Sequence, residues 1–333
     1  MGSSRFTPQS RRERNRQAAE LALRSKPAEP PITPAEAAPD TTPSGVPIRP
    51  DLGPPAAGAQ PVNQPGSGLG LIASIAVSAL VFVLAIYAAG QPTPNRIPLL
   101  QTTNAIFWLV AIITVAGAGA AAQYAEHVAA RGDSATRRET GESLHTAWIV
   151  PAVSTLAAVL LIATFHNAVL MVIGPLIAFL GNAGALLSRD LLDDAIETNR
   201  RGAVTLHTLV VHAVAFLAFS AVYLNKLPTP IAAPVIGIIG GLLALELLER
   251  IAAPVARRAL YALLAGFVML EATIALNWWR THGWTGGAVL LVCFYLATGV
   301  LLAATQRSQM RTRDLIEYGL VSVLALAVLA FTA

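Results

Sequence analysis

Three groups of side chains in this 333-residue sequence have types and spacings suited to chemistry. Glu271, His212 and Thr208 stand inside long apolar runs. An ionisable group buried in a transmembrane run is costly and marks a functional site by default. Glu271 lies about 13 residues into its run, ~20 Å along a helix, and no Arg or Lys shares that depth. A lone buried carboxylate goes neutral or finds a partner. It would serve as a proton-carrying acid, a solute contact or a hydrogen bond between helices. His212 follows Thr208 by one helical turn, at a depth close to that of Glu271. One expectation is a His212–Glu271 pair; the other is a histidine bonded to a backbone carbonyl or a threonine. His207 lies about 140° around the helix from His212, so the two cannot chelate one ion.

The second group is Asp190, Asp193 and Glu197, spaced i, i+3, i+7. That spacing puts three carboxylates on one helical face at the end of an apolar run, where they could hold Mg²⁺ and through it a diphosphate. The alternative is a solvated helix extension paired with Arg189, Arg200 and Arg201. In the third group, Glu246 precedes Arg250 by four residues, the favourable order for an intrahelical ion pair at the interface. Pro175, inside another run, removes a backbone hydrogen bond and predicts a helix bend.

The elements that must position these groups are membrane spans. Hydrophobic residues make up 54% of the chain and charged residues 13%, about half the charge of an average soluble domain, which excludes an ordinary soluble enzyme. One Cys excludes a disulfide scaffold or a Cys-rich metal site. An aromatic content of 6% argues against a stacking-based nucleic-acid binder. Apolar runs of roughly the length needed to cross a bilayer recur at 69–89, 104–124, 147–165, 168–188, 203–224, 230–249, 258–279, 286–304 and 315–333. The predicted fold class is therefore an all-α integral membrane bundle of nine transmembrane helices.

Residues 1–68 read differently. They hold 13 of the 22 prolines and few large apolar residues, and predict a disordered cytoplasmic tail. Residues 69–333 form the membrane domain. With the tail inside, the loops on that side carry twelve arginines, against Arg96, Lys226 and Arg280 outside. The positive-inside rule thus predicts an inside N-terminus and an outside C-terminus. The first 26 residues carry seven basic and two acidic side chains, which predicts weak attraction to anionic lipid. Trp108, Trp148, Trp278, Trp279 and Trp284 fall near run ends, as an interfacial belt requires. Gly237, Gly240 and Gly241, Gly117 and Gly119, and Ser74 and Ser78 mark small-residue faces for helix packing. Only two of the 23 basic residues are Lys, an Arg bias that suggests a GC-rich bacterial or archaeal genome, and the expected location is the bacterial plasma membrane.

The Asp190–Glu197 spacing resembles the first acidic motif of the intramembrane aromatic prenyltransferases. That resemblance implies an Mg²⁺-dependent enzyme at the inner surface. It covers some eight residues and departs from the motif: Arg189 replaces the usual Asn, and Glu197 the last Asp. No second Asp-rich motif follows; Asp314 with Glu317 is a poor substitute. The whole chain resembles uncharacterised polytopic bacterial membrane proteins, which implies no activity. Three functions stay open. A transporter or permease-like protein would use Glu271, His212 and Pro175. A non-catalytic subunit or scaffold, in a homo-oligomer or membrane complex, would use none of them. A prenyltransferase-like enzyme would use Asp190, Asp193 and Glu197. The balance leans away from an enzyme, and the expected surroundings are the lipid bilayer, with no cofactor and no nucleic acid.

Overall fold

The computed structural model describes residues 65–91, 104–132, 145–194, 200–225, 227–249, 253–279, 283–306 and 312–332. Nearly all of the expected tail lies outside the described residues. Nine helices form among them: α1 (Pro65–Ala89), α2 (Ala105–Gly132), α3 (Ile149–Phe165), α4 (Ala168–Asp194), α5 (Arg200–Leu224), α6 (Thr229–Leu248), α7 (Val255–Trp278), α8 (Gly283–Gln306) and α9 (Thr312–Thr332). Each expected run folds as a helix. Seven of these, α1, α2 and α4–α8, are long and apolar enough to cross a membrane, so the protein is a multi-pass membrane protein. α3 and the apolar part of α9 (Tyr318–Ala327) are shorter.

α3 is short because protein, not lipid, surrounds it. Thirteen of its 17 residues are buried. Its Val150, Val153 and Ala157 join a core with Phe219, Leu243, Met269 and Phe294 from α5–α8. Its Ala158, Val159 and Ile162 join a second core with Val81, Phe107 and Ala178 from α1, α2 and α4. One helix therefore serves two cores, one face each.

Small residues set the closest contacts, as expected where hydrocarbon tails compete with side chains for the same surfaces. α6 and α7 are the most extensively packed pair. A Cβ on Gly266 of α7 would stand 2.7 Å from the Gly237 carbonyl oxygen, so the backbones approach too closely for any other residue. Gly237 and Gly241 thus form the contact face that the sequence indicates. Gly119 of α2 lies against Trp148 and Ala152. α4 continues as a helix through Pro175. The Ser78 hydroxyl of α1 donates to the Pro175 carbonyl at 2.9 Å, joining two helices, whereas Ser74 donates to Gly70 within its own helix. The tryptophan belt is clearest at the end of α7, where Trp278 is 87% exposed and Trp279 is also exposed.

α3 and α4 form a hairpin through His166-Asn167. Asn167 Oδ1 accepts the Leu170 N–H at 2.9 Å and caps α4. His166 closes α3 in the left-handed region, with φ 41°, and its N–H donates to the Ile162 carbonyl. Its side chain is buried. Burial lowers the imidazole pKa below its ordinary value, against the opposing pull of the Ala163 carbonyl. Protonation therefore favours the unfolded chain. The wild-type protein should lose stability as pH falls through about 6.5, and His166→Asn should flatten that slope. His166→Val should cost roughly 1–3 kcal/mol, because a β-branched residue is strained at this φ. Thermal unfolding in detergent across pH 5–8 checks both outcomes.

Candidate functional site

Consecutive helices alternate in direction, so alternate termini meet at one end of the bundle. Glu126 near the end of α2, Thr146 ahead of α3, Ser188 and Arg189 late in α4, His207 early in α5, and Glu246 and Glu249 ending α6 all meet at that end, here called the Arg189 end. Arg189 stands at the centre and is 7% exposed. Its Nε donates to Glu246 Oε1 at 3.0 Å, and Nη2 donates to Glu246 Oε2 in a very short bond. The pair is bidentate, a geometry that the planar guanidinium fork provides and an ammonium would not. Nη2 also donates to Thr146 Oγ1 at 2.7 Å, and Nη1 to Glu126 Oε2 at 3.1 Å. Glu249 Oε2 lies 3.5 Å from Nη2.

Glu246 needs that cation. It is 1% exposed and stands at a helix C-terminus, where the carbonyl dipoles already disfavour an anion. His207 Nε2 lies 3.3 Å from Glu246 Oε1, close enough for attraction but without the alignment of a hydrogen bond. The Ser188 hydroxyl donates to the Ala185 carbonyl at 3.0 Å, and its oxygen lies 3.0 Å from His207 Nδ1. Ser188, His207 and Glu246 stand in the order of a hydrolase relay. Ser188 is fully buried, however, and no substrate carbonyl can reach its oxygen. The array is a closed electrostatic knot joining α2, α4, α5, α6 and the entry to α3.

The residues singled out in the sequence are placed differently. Both oxygens of Glu246 accept from Arg189, 57 residues away, a pairing that the spacing does not suggest. Arg250 lies outside the described residues. His212 Nδ1 bonds the Thr208 carbonyl at 2.8 Å, the second of the two expectations, and its ring packs on Phe294 and Tyr295 of α8. It does not pair with Glu271. That carboxylate is exposed on the outer face of α7, beside Phe267 and Val268, and makes no hydrogen bond or ion pair among the described residues. α7 is rotated so that Gly266, Met269 and Thr273 face the core, which turns Glu271 outward. Glu271, His212 and Thr208 therefore form no common midplane site. Asp190 is half-buried on α4. The Asp193 side chain and Glu197, with which it would hold Mg²⁺, lie outside the described residues. Among the described residues, no group of three or more His, Cys, Asp and Glu side chains could hold a metal ion.

The sequence gives no sign of a role for Glu126, Thr146 and Ser188, and it suggests other roles for Arg189 and His207. Arg189 reads as one more loop arginine in the charge asymmetry. The available signal was its position directly after an unbroken apolar run, which argues for burial.

Residues 82–332 match the family described as protein of unknown function (DUF5656), well over half of the 333-residue chain, and the chain belongs to that family. No curated protein and no solved structure matches it.

The knot makes a strong stability prediction. Arg189→Met or Glu246→Met removes one partner of a buried pair and should cost about 3–5 kcal/mol. The double variant Arg189→Met/Glu246→Met leaves no orphaned charge between the two and should recover much of that loss. A double-mutant cycle of thermal unfolding in detergent measures the coupling.

Proposed function

We propose that the protein is a non-catalytic subunit of a larger membrane assembly, and that α7 is the helix it presents to a partner. All nine helices cross the bilayer in this reading, with the N-terminus and the Arg189 end inside and the C-terminus outside. The loop arginines on the tail's side, twelve against three basic residues opposite, support that topology.

The observation that carries the reading is the outward Glu271. Its face of α7 is otherwise hydrocarbon: Leu260, Leu264, Phe267 and Val268 are all exposed large apolar residues. Glu271 lies seven residues before Trp278, about 10 Å below the interfacial tryptophans and well inside the hydrocarbon. A carboxyl group there cannot reach water on its short side chain. It is satisfied by a hydrogen-bond donor on another membrane helix, and polar side chains join helices in this way. The transporter reading needs Glu271 and His212 around one cavity, and they face different surroundings.

Native mass spectrometry in lipid nanodiscs tests the proposal. The wild-type particle should carry protein mass beyond one chain. Glu271→Leu should return it to single-chain mass while leaving thermal stability unchanged, because the side chain makes no internal bond. A wild-type particle of one chain, with a mass that Glu271→Leu does not alter, overturns the proposal.

A further inference from the structure

A second outward-facing feature lies between α2 and α3. The seam between these helices opens into a cavity of about 480 Å³, within the range typical of small-ligand sites. Its α2 wall is one uninterrupted helical stripe running from Trp108 through Ala111, Val115 and Gly119 to Gln123. Trp148 and Ala152 begin the α3 wall at the Gln123 end, because Gly119 packs on both. From Trp108 to Gln123 the groove runs 15 residues, or about 22 Å. It opens sideways: Ala116 and Ile112 on its wall are exposed on the surface that hydrocarbon bathes.

The two polar groups on this apolar wall are unsatisfied. Gln123 Oε1 and the Trp108 indole N–H are both buried, and neither has a hydrogen-bond partner. Such groups in a dry apolar setting each cost free energy until a ligand or another chain pairs with them. One helical turn beyond Gln123 stands Glu126, whose carboxylate accepts from Arg189 while its side chain stays 33% exposed. The Arg189 end of the groove therefore offers acceptors: an amide oxygen, and beyond it a carboxylate. A choline or phosphate group has no N–H or O–H to give them. A glycerol head group has O–H donors but brings a net negative charge toward Glu126, whereas an ammonium offers both the donors and the opposite charge.

We infer that the α2–α3 groove is a lipid site that seats the hydrocarbon chain of a bilayer phospholipid with a primary-ammonium head group, and that Gln123 and Glu126 receive that head group. The chain lies along the stripe from Gly119 toward Ala111. The ammonium sits at the Arg189 end, where the buried guanidinium already anchors Glu126 and holds its carboxylate in place. No bond is made or broken, so the site selects a lipid and does not alter it. It lies on α2 and α3, whereas the assembly face lies on α7. The two proposals can fail separately.

Native mass spectrometry of the full chain in nanodiscs of equal phosphatidylethanolamine, phosphatidylcholine and phosphatidylglycerol is the test. The wild-type protein should retain one lipid after detergent stripping, with phosphatidylethanolamine favoured several-fold over the other two. Gln123→Leu should remove the preference while some lipid is still retained. Ala116→Trp, which places an indole in the open groove from an exposed position, should abolish retention of all three. Thermal unfolding identifies any variant that has simply lost its fold, and Ala116→Phe then replaces Ala116→Trp. Equal retention of the three lipids, unchanged by filling the groove, would mean adventitious annular lipid only and would overturn the inference. Retention of none would overturn it too.

Discussion

The Arg189–Glu246 pair is the interaction on which the bundle's organisation most depends. A guanidinium and a carboxylate, both almost fully buried, cannot be left singly in so apolar an interior. Each therefore dictates where the other's helix must end. α4 and α6 are not neighbours in sequence, and the bidentate bond fixes their ends in register. Glu126 and Thr146 use the remaining donors of the same guanidinium, so α2 and the entry to α3 are set by the same centre. His207 and Ser188 extend the network to α5. Removing the cation would leave Glu246 buried without its principal partner.

Packing supplies what the knot does not. Burial gives directionless cohesion in water, but between helices in hydrocarbon it distinguishes little, since lipid tails are as apolar as leucine. The discriminating contacts are close ones. Gly237 and Gly241 against Gly266 bring α6 and α7 to backbone contact. The central α3 uses mostly small and β-branched residues to touch two cores at once. The His166 hairpin closes the opposite end, with a left-handed residue in place of a longer loop.

At the Arg189 end the guanidinium and its carboxylates are matched to one another, although His207 Nε2 has no aligned partner and Glu126 is partly exposed. Other buried atoms, such as the ring nitrogens of His166 and Ser220 Oγ, also lack a hydrogen-bond partner among the described residues. The features that point outward, Glu271 and the α2–α3 groove, carry the functional argument. Glu271 lies on the outer face of α7, and the groove holds an amide oxygen and an indole N–H without hydrogen-bond partners among the described residues. Binding within the membrane is the common ground of the two proposals.

The sequence by itself determined the class of protein and the position of every described helix, because a membrane's thickness imposes a length and apolarity that composition must meet. It also marked Gly237, Gly241 and Ser78 as contacts, since small residues in apolar runs have few other uses. It could not determine the partner of Glu246. Spacing rules reach only one turn along the same helix, whereas the bidentate bond described comes from Arg189 on another helix. Nor could it tell that Glu271 faces outward. In a soluble helix, the polar face announces itself as the face toward water. In a span both lipid and core demand apolar residues, so periodicity carries almost no information about rotation. Which way α7 turns was decided by tertiary packing alone, through the glycine seam that draws Gly266 against α6 and leaves Glu271 on the far side.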